Sequence, residues 1–319
     1  MTRVGVVDLG TNSTRLLVAD VDGGAVREVL RCLRITRLGE GVDEGRRLIP
    51  AAMARVRPVL REYRRRIDVL GAERTLAIAT SAFRDAANGE AFLAEIEREF
   101  GFRTRLLSGD EEALTMFRGV ATGRDVAERT LLVDVGGGST ELVLGDPGGV
   151  SFHASLDLGC VRLTERFLVS DPPLPEELGA CTGAVRSALA DRVPSTVRPS
   201  AAIGVAGTVM TLATIDLGLA EEEPDVVGRH VLTTTWVAEE LDQLAGTTVA
   251  ELRAVRGIHH DRAPVIVAGV VVVLETLRRF GLHVLEVSER DVMHGAALLA
   301  AELPTLAARG TPSGAQSCS

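Results

Sequence analysis

The sequence predicts an α/β protein of two related domains whose glycine-rich loops face a shared cleft. Three observations lead there. Asp8-Leu9-Gly10-Thr11-Asn12-Ser13 and Asp134-Val135-Gly136-Gly137-Gly138-Ser139 both read D-x-G-x-x-S, and each leaves one apolar, β-rich run to enter another. Both strand pairs continue through a glycine turn into a third strand, after which helices and strands follow. With 319 residues, 46% of them hydrophobic, the chain is long enough for two cores of ordinary domain size, about 100–200 residues each. One D-x-G-x-x-S arises easily by chance, whereas two at the same point of matching strand patterns indicate a duplicated domain.

Val4 to Val7 and Leu16 to Val21 are the first two strands, and Asp22-Gly23-Gly24 turns the chain into a third near Val26 to Cys32. From Pro50 onward, Val56, Val59, Leu60, Tyr63 and Ile67 recur at helical spacing, with Arg57, Arg61 and Arg64 on the opposite side. A strand at Thr75 to Ala79, a helix at Glu90 to Phe100, a strand at Arg103 to Leu107 and a helix at Ala113 to Val120 follow. The second unit opens at Leu131 to Val135, with strands near Glu141 to Leu144 and Val150 to Ser155. Helices near Val161 to Phe167 and Pro175 to Asp191, a strand near Ala201 to Val205, and helices from Thr208, Thr235 and Asp261 fill it out. A strand at Val284 to Val287 and a helix at Arg290 to Glu302 close it. The expected domains are residues 1–124 and 125–303, with the last helix free to pack back on the first domain, and a flexible tail over 304–319.

Composition narrows the chemistry. The chain has no lysine, so all 35 basic residues are arginine. A P-loop, a protein-kinase site and a Schiff-base enzyme each require a lysine and are excluded. A net charge of −9 and 3% aromatic residues argue against nucleic acid, which needs neutralised phosphates and stacking platforms. Met1 to Asp8 carries neither the basic start nor the apolar stretch of a secretory signal, and the apolar run Ala263 to Leu274 is too short to span a bilayer. Cys32, Cys160, Cys181 and Cys318 form no C-x-x-C pair. The expectation is a cytoplasmic protein without membrane attachment.

An anionic ligand must then be held by arginines and backbone amides. Glycines after a buried strand let successive N–H groups point into one concavity that grips phosphate oxygens. The first loop offers Asp8, Gly10, Thr11, Asn12 and Ser13, and the second offers Gly136, Gly137, Gly138, Ser139 and Thr140. Gly207 and Thr208 lie in a third small-residue loop that leaves a strand and opens a helix, where amides and the helix terminus suit a further phosphate. Asp134 ends a strand and Glu141 begins the next, so the tight loop carries both carboxylates to one rim, a geometry suited to Mg²⁺, with Mn²⁺ as an alternative. In Ser108-Gly109-Asp110-Glu111-Glu112, Ser108 and Glu111 match a capping box, which leaves Glu112 free to face the cleft as a general base.

These motifs, together with Ala79-Thr80-Ser81-Ala82-Phe83-Arg84-Asp85-Ala86-Ala87-Asn88, Gly204-Val205-Ala206-Gly207-Thr208, Asp261-Arg262-Ala263 and Gly295-Ala296-Ala297-Leu298, resemble the exopolyphosphatase and guanosine pentaphosphate phosphohydrolase family in its short form. The resemblance covers nearly the whole chain. It implies two ribonuclease-H-like domains of the actin–hexokinase–Hsp70 superfamily, a catalytic base at Glu112 and metal-associated carboxylates at Asp134 and Glu141. It also implies phosphate contacts from Asn12, Ser13, Arg84, Gly137, Gly138, Ser139 and Arg262, a homodimer, and inorganic polyphosphate or guanosine pentaphosphate as substrate. A superfamily kinase and a non-catalytic polyphosphate or alarmone sensor are the competing classes. Longer relatives carry a helical domain with an HD motif. Here His260-Asp261 stands alone, and Asp261 reads as a helix N-cap.

Overall fold

The computed structural model describes residues 1–304 except 123, 125, 127, 128 and 147, so the expected tail beyond Pro304 lies outside the described residues. In the first unit β1 (Thr2–Leu9), β2 (Ser13–Asp22) and β3 (Ala25–Ile35) form the meander. They are followed by α1 (Val42–Gly45), α2 (Pro50–Val69), β4 (Arg74–Ala79), α3 (Ser81–Asp85), α4 (Gly89–Phe100), β5 (Arg103–Leu106) and α5 (Gly109–Ala121). The second unit runs β6 (Thr130–Val135), β7 (Thr140–Asp146), β8 (Gly149–Leu156), α6 (Cys160–Phe167), α7 (Pro175–Arg192), β9 (Ala201–Val205) and α8 (Ala206–Asp216). It continues through α9 (Pro224–Val227), β10 (Val231–Thr233), α10 (Thr234–Ala245), α11 (Val249–Leu252), α12 (Ile266–Phe280), β11 (Val284–Val287) and α13 (Val292–Glu302).

The two sheets have the orders β3-β2-β1-β4-β5 and β10-β11-β9-β6-β7-β8. Apart from the added edge strand β10, they are the same sheet: an antiparallel meander followed by two parallel strands. This is the ribonuclease-H-like order, present twice. The α1, α3 and β10 segments, with three to five residues each, are too short to carry a readable period. Asp261 corrects an expectation. It caps no helix: a single 3₁₀ turn, Ala263–Val265, precedes α12, whose first residue follows Val265. A helix capped by Asp261 would place Pro264 at its third position, where the cap needs an N–H that proline lacks.

Strand periodicity decides what each loop presents. Val4, Val6, Leu17, Leu132, Val143, Ile203 and Val205 point into a layer between the sheets that is filled by α5 and α13. Val7, Leu9, Leu16, Leu131, Val133, Leu142 and Leu144 point outward into the separate cores under the flanking helices. Because side chains alternate, Asp8, Arg15, Asp134 and Glu141 share the inner faces.

The middle layer is tightest where α5 crosses α13. A methyl group built on Gly295 would lie 1.8 Å from the Thr115 carbonyl oxygen, and one on Gly119 would lie 2.0 Å from that of Asp291. The two backbones therefore touch, and α13 is seated on β1 and α5 of the first unit. Its N-cap, Asp291, accepts from the Met293 N–H, and its His294 Nε2 lies 2.9 Å from Glu28 on β3. Burial alone would lower the His294 pKa, but Asp291 and Glu28 raise it above its ordinary value.

Two outcomes follow from this layer. Gly295→Ala should cost about 2–3 kcal/mol by urea unfolding because a backbone must move, whereas Gly179→Ala on α7, where nothing lies within 4 Å, should be neutral or stabilising by up to about 1 kcal/mol. A raised folded-state pKa makes the His294 contribution complete below its unfolded value, about 6.5, and lost as pH rises through the folded value. The melting-temperature advantage of the native protein over His294→Gln should therefore be largest at about pH 6 and shrink toward alkaline pH. An advantage that grows with pH would contradict the assignment.

Candidate functional site: a cleft between two facing loops

The β1–β2 and β6–β7 loops are built alike. In one, the Gly10 N–H donates to the Ser13 carbonyl at 3.0 Å, and in the other the Gly136 N–H donates to the Ser139 carbonyl at 3.0 Å. The loops meet at their tips: a methyl group on Gly137 would lie 3.1 Å from the Asn12 Cβ, and one on Gly138 would lie 2.9 Å from the Thr11 hydroxyl. A side chain at either position would press on the facing loop, by a few tenths of an ångström at Gly137 and against the Ser81 and Thr11 hydroxyls at Gly138.

The carbonyls of the second loop are tied back by the start of α6. Gly136 O accepts from the Cys160 N–H at 3.0 Å, Gly137 O accepts from the Val161 N–H at 2.9 Å, and Gly138 O accepts from the Arg162 guanidinium at 2.8 Å. In a planar trans peptide the carbonyl and the next N–H point in opposite directions. The amides of Gly137, Gly138 and Ser139 are thereby turned toward the cleft, and none donates to a backbone carbonyl among the described residues. In the first loop the Thr11 carbonyl is held by the Gly39 N–H at 2.8 Å, which turns the Asn12 amide the same way. Backbone amides thus face the cleft from both walls, an arrangement that suits an anion.

Between them lies a cleft with about 760 Å³ of empty space, solvent mouth included, lined by both loops. Asp8, Gly10, Thr11, Asn12, Ser13, Glu112, Asp134, Gly136, Gly137, Gly138, Ser139, Glu141, Gly207, Thr208 and Arg262, all named from the sequence, line it. Arg84 does not line it but reaches Glu112, with Nη1 2.6 Å from the carboxylate. Thr140 is brought elsewhere. It lies on the outer face of β7, one residue out of phase with Glu141, and its hydroxyl donates to the Leu158 carbonyl at 2.5 Å. The predicted capping box forms, with Ser108 and Glu111 exchanging hydrogen bonds, and Glu112 is turned away into the buried side.

Sequence reasoning missed Arg15. The register pairs Asp8 with Arg15 across the first hairpin and Asp134 with Glu141 across the second. The duplicated motif therefore carries a cation at the position where its copy carries an acid, a signal legible from the shared spacing. Arg15 bonds Asp8 at 2.6 Å and Asp291 at 2.5 Å, so the start of α13 braces it. Ala206, at φ 65°, holds the third loop in a left-handed conformation that alanine rarely adopts, and the Arg262 guanidinium lies over Gly207. The α2 arginines Arg55, Arg57, Arg61, Arg64 and Arg66 pair with neighbouring carboxylates, and none of them lines the cleft.

Four buried carboxylates share this space. Burial raises Asp134 to about pKa 7, with Arg15 opposing and Glu112, Asp291 and Asp8 adding to the rise. Burial and then the charges of Glu112 and Asp134 hold Glu141 well above the carboxylate range, despite the Ser155 hydroxyl at 2.9 Å. Glu112 is raised by burial and pulled down again by Arg84. Asp8 is raised by burial against Arg15, and its Oδ1 has no hydrogen-bond partner among the described residues. Such crowding of acid groups is relieved by a cation. Among the described residues no three His, Cys, Asp or Glu side chains converge as a ready-made metal cage.

Comparison with known proteins agrees with this arrangement. A family model described as the Ppx/GppA phosphatase family matches residues 17–302. Exopolyphosphatase 2 of Mycobacterium tuberculosis is 38% identical over 315 residues, covering 93% of this chain and 98% of that protein. The guanosine-5'-triphosphate,3'-diphosphate pyrophosphatase of Aeromonas hydrophila is 29% identical, covering 87% of this chain and 55% of that protein. A crystal structure of the Aquifex aeolicus Ppx/GppA family member superposes with a TM-score of 0.80 at 33% identity, covering 94% of this chain and 97% of that one. With the duplicated sheets and the paired loops already in place, the chain belongs to the Ppx/GppA phosphatase family.

Proposed function

We propose that the protein is an exopolyphosphatase, hydrolysing the terminal phosphoanhydride of inorganic polyphosphate to release phosphate. The observation that carries this reading is the pair of facing amide nests with Glu112 between them. A chain of phosphates presents many equivalent oxygens to both walls, and phosphoryl transfer is mainly positioning and electrostatics. The relative at 38% identity bears the name exopolyphosphatase.

In the proposed step, a water oxygen attacks the terminal phosphorus and its proton passes to the Glu112 carboxylate. The bridging P–O bond breaks, and its electron pair stays on the shortened chain. Arg84, 2.6 Å from Glu112, opposes the upward push that burial gives that carboxylate's pKa and fixes its orientation as the proton acceptor. The amides of Gly137, Gly138, Ser139 and Asn12 take the charge growing on the phosphoryl oxygens, and Arg262 offers fixed charge at the third loop. Asp134 and Glu141, paired directly across the hairpin, are the residues that would hold Mg²⁺ or Mn²⁺. Two carboxylates with substrate oxygens and water meet the needs of such an ion, which when bound neutralises phosphate charge. Guanosine pentaphosphate is the second reading, favoured by the Aeromonas hydrophila relative, whose named substrate also ends in a phosphoanhydride. A cytoplasmic homodimer is part of the same proposal. No helix of the described residues is long and apolar enough to cross a membrane.

Glu112→Gln tests the reading. Phosphate release from tripolyphosphate, long polyphosphate and guanosine pentaphosphate is measured side by side, with and without a chelator. The expected result is a fall in kcat of about 10²–10⁴-fold with KM little changed. The native enzyme should be silenced by chelation and restored by Mg²⁺ or Mn²⁺. Turnover of Glu112→Gln at the native rate would remove Glu112 from the mechanism, and full activity under chelation would remove the metal.

A further inference from the structure

Arg162 does more than tie back one carbonyl. It sits on α6 of the second unit, 6% exposed, and its guanidinium spends all three nitrogens on fixed partners. Nε donates to Gly138 O at 2.8 Å in its own unit. Nη1 and Nη2 cross to the first unit, where they bond Asp43 on α1 and, at 2.5 Å, Asp85 on α3. Asp43 also accepts from Arg166, one turn further along α6. Asp85 is the residue after Arg84, which holds Glu112. One side chain thus connects the third amide of the phosphate nest, through α3, to the arginine beside the catalytic carboxylate.

Resting on the reading of the cleft as a phosphate site, we propose that Arg162 is a positioning residue that couples closure of the two units to the aim of the nest. When the units are together, Asp43 and Asp85 fix the plane of the guanidinium, and its Nε pulls the Gly138 carbonyl away from the cleft. Peptide planarity then swings the Ser139 N–H toward the bound phosphate. When the units part, both carboxylates leave with the first unit, the fork loses its orientation, and the Gly138–Ser139 peptide is released to turn. Amide alignment and the approach of Glu112 are therefore gained together, so the full set of donors exists only in the closed cleft. A planar fork with donors in three fixed directions is required for this, and lysine, a single ammonium on a flexible stem, does not supply it.

The test compares native protein with Arg162→Lys and Asp85→Asn by X-ray scattering, amide ¹⁵N resonances, melting temperature and turnover of tripolyphosphate. Arg162→Lys should remain folded, show a larger radius of gyration when free, displace the Gly138 and Ser139 amide resonances, and lose at least about tenfold in kcat. Asp85→Asn, which leaves the Gly138 contact in place, should also open the free protein, displacing those resonances less and raising KM more than it lowers kcat. A folded Arg162→Lys with native scattering and native Gly138 and Ser139 resonances would overturn the proposal, whatever its melting temperature. Should the native protein fail to hydrolyse tripolyphosphate, the exopolyphosphatase reading falls, and the scattering and amide measurements still decide the role of Arg162.

Discussion

The direction of a few peptide planes is the constraint on which the site depends. Gly136, Gly137 and Gly138 give their carbonyls to the start of α6, and Thr11 gives its carbonyl to Gly39. Glycine suits the second loop because the tips of the two loops touch, so a Cβ at 137 or 138 would crowd Asn12, Thr11 or Ser81. A fold with a duplicated hairpin therefore creates two opposed sets of amide donors without a lysine. The middle layer brings them face to face by seating α13 of the second unit on β1 and α5 of the first.

The same space is crowded with buried acids. Asp8, Glu112, Asp134 and Glu141 are all raised by burial, so each is held at a cost unless a cation or a proton arrives. Arg15 and Arg84 offset part of this from within the chain. Asp291 behaves oppositely. Burial would raise it, but Arg15, Arg31 and His294 hold it well below the usual carboxylate range, which makes it a permanent anion bracing Arg15. The cleft thus holds four acids that burial pushes up beside one, Asp291, that its cationic neighbours hold down.

Much of this was legible in the sequence because it rests on local pattern. The repeated D-x-G-x-x-S, the apolar strands around it and the Ser108–Glu111 cap are short-range features, and each keeps its predicted place. A loop motif does not say which residue of the following strand faces inward, so it puts Thr140 in the cleft; strand phase, with Val143 and Leu142 on opposite faces, puts it on the outer face. The cap at Asp261 fails because Pro264, at what would be the third helical position, has no N–H to give it. Arg15 is legible only when the two hairpins are overlaid, because the spacing Asp8 to Arg15 repeats that of Asp134 to Glu141. Asp291, Asp43 and Arg162 are different. They meet the site across the domain boundary, a relation that no local period encodes.

A crystal structure of Glu112→Gln with inorganic tripolyphosphate tests the central claim most directly. The account predicts a terminal phosphate whose oxygens lie about 3 Å from amides of both loops, Asn12 on one wall and Gly137 to Ser139 on the other, with the substituted side chain at position 112 facing its phosphorus. A phosphate chain held by one loop alone, or seated outside the cleft, would contradict it.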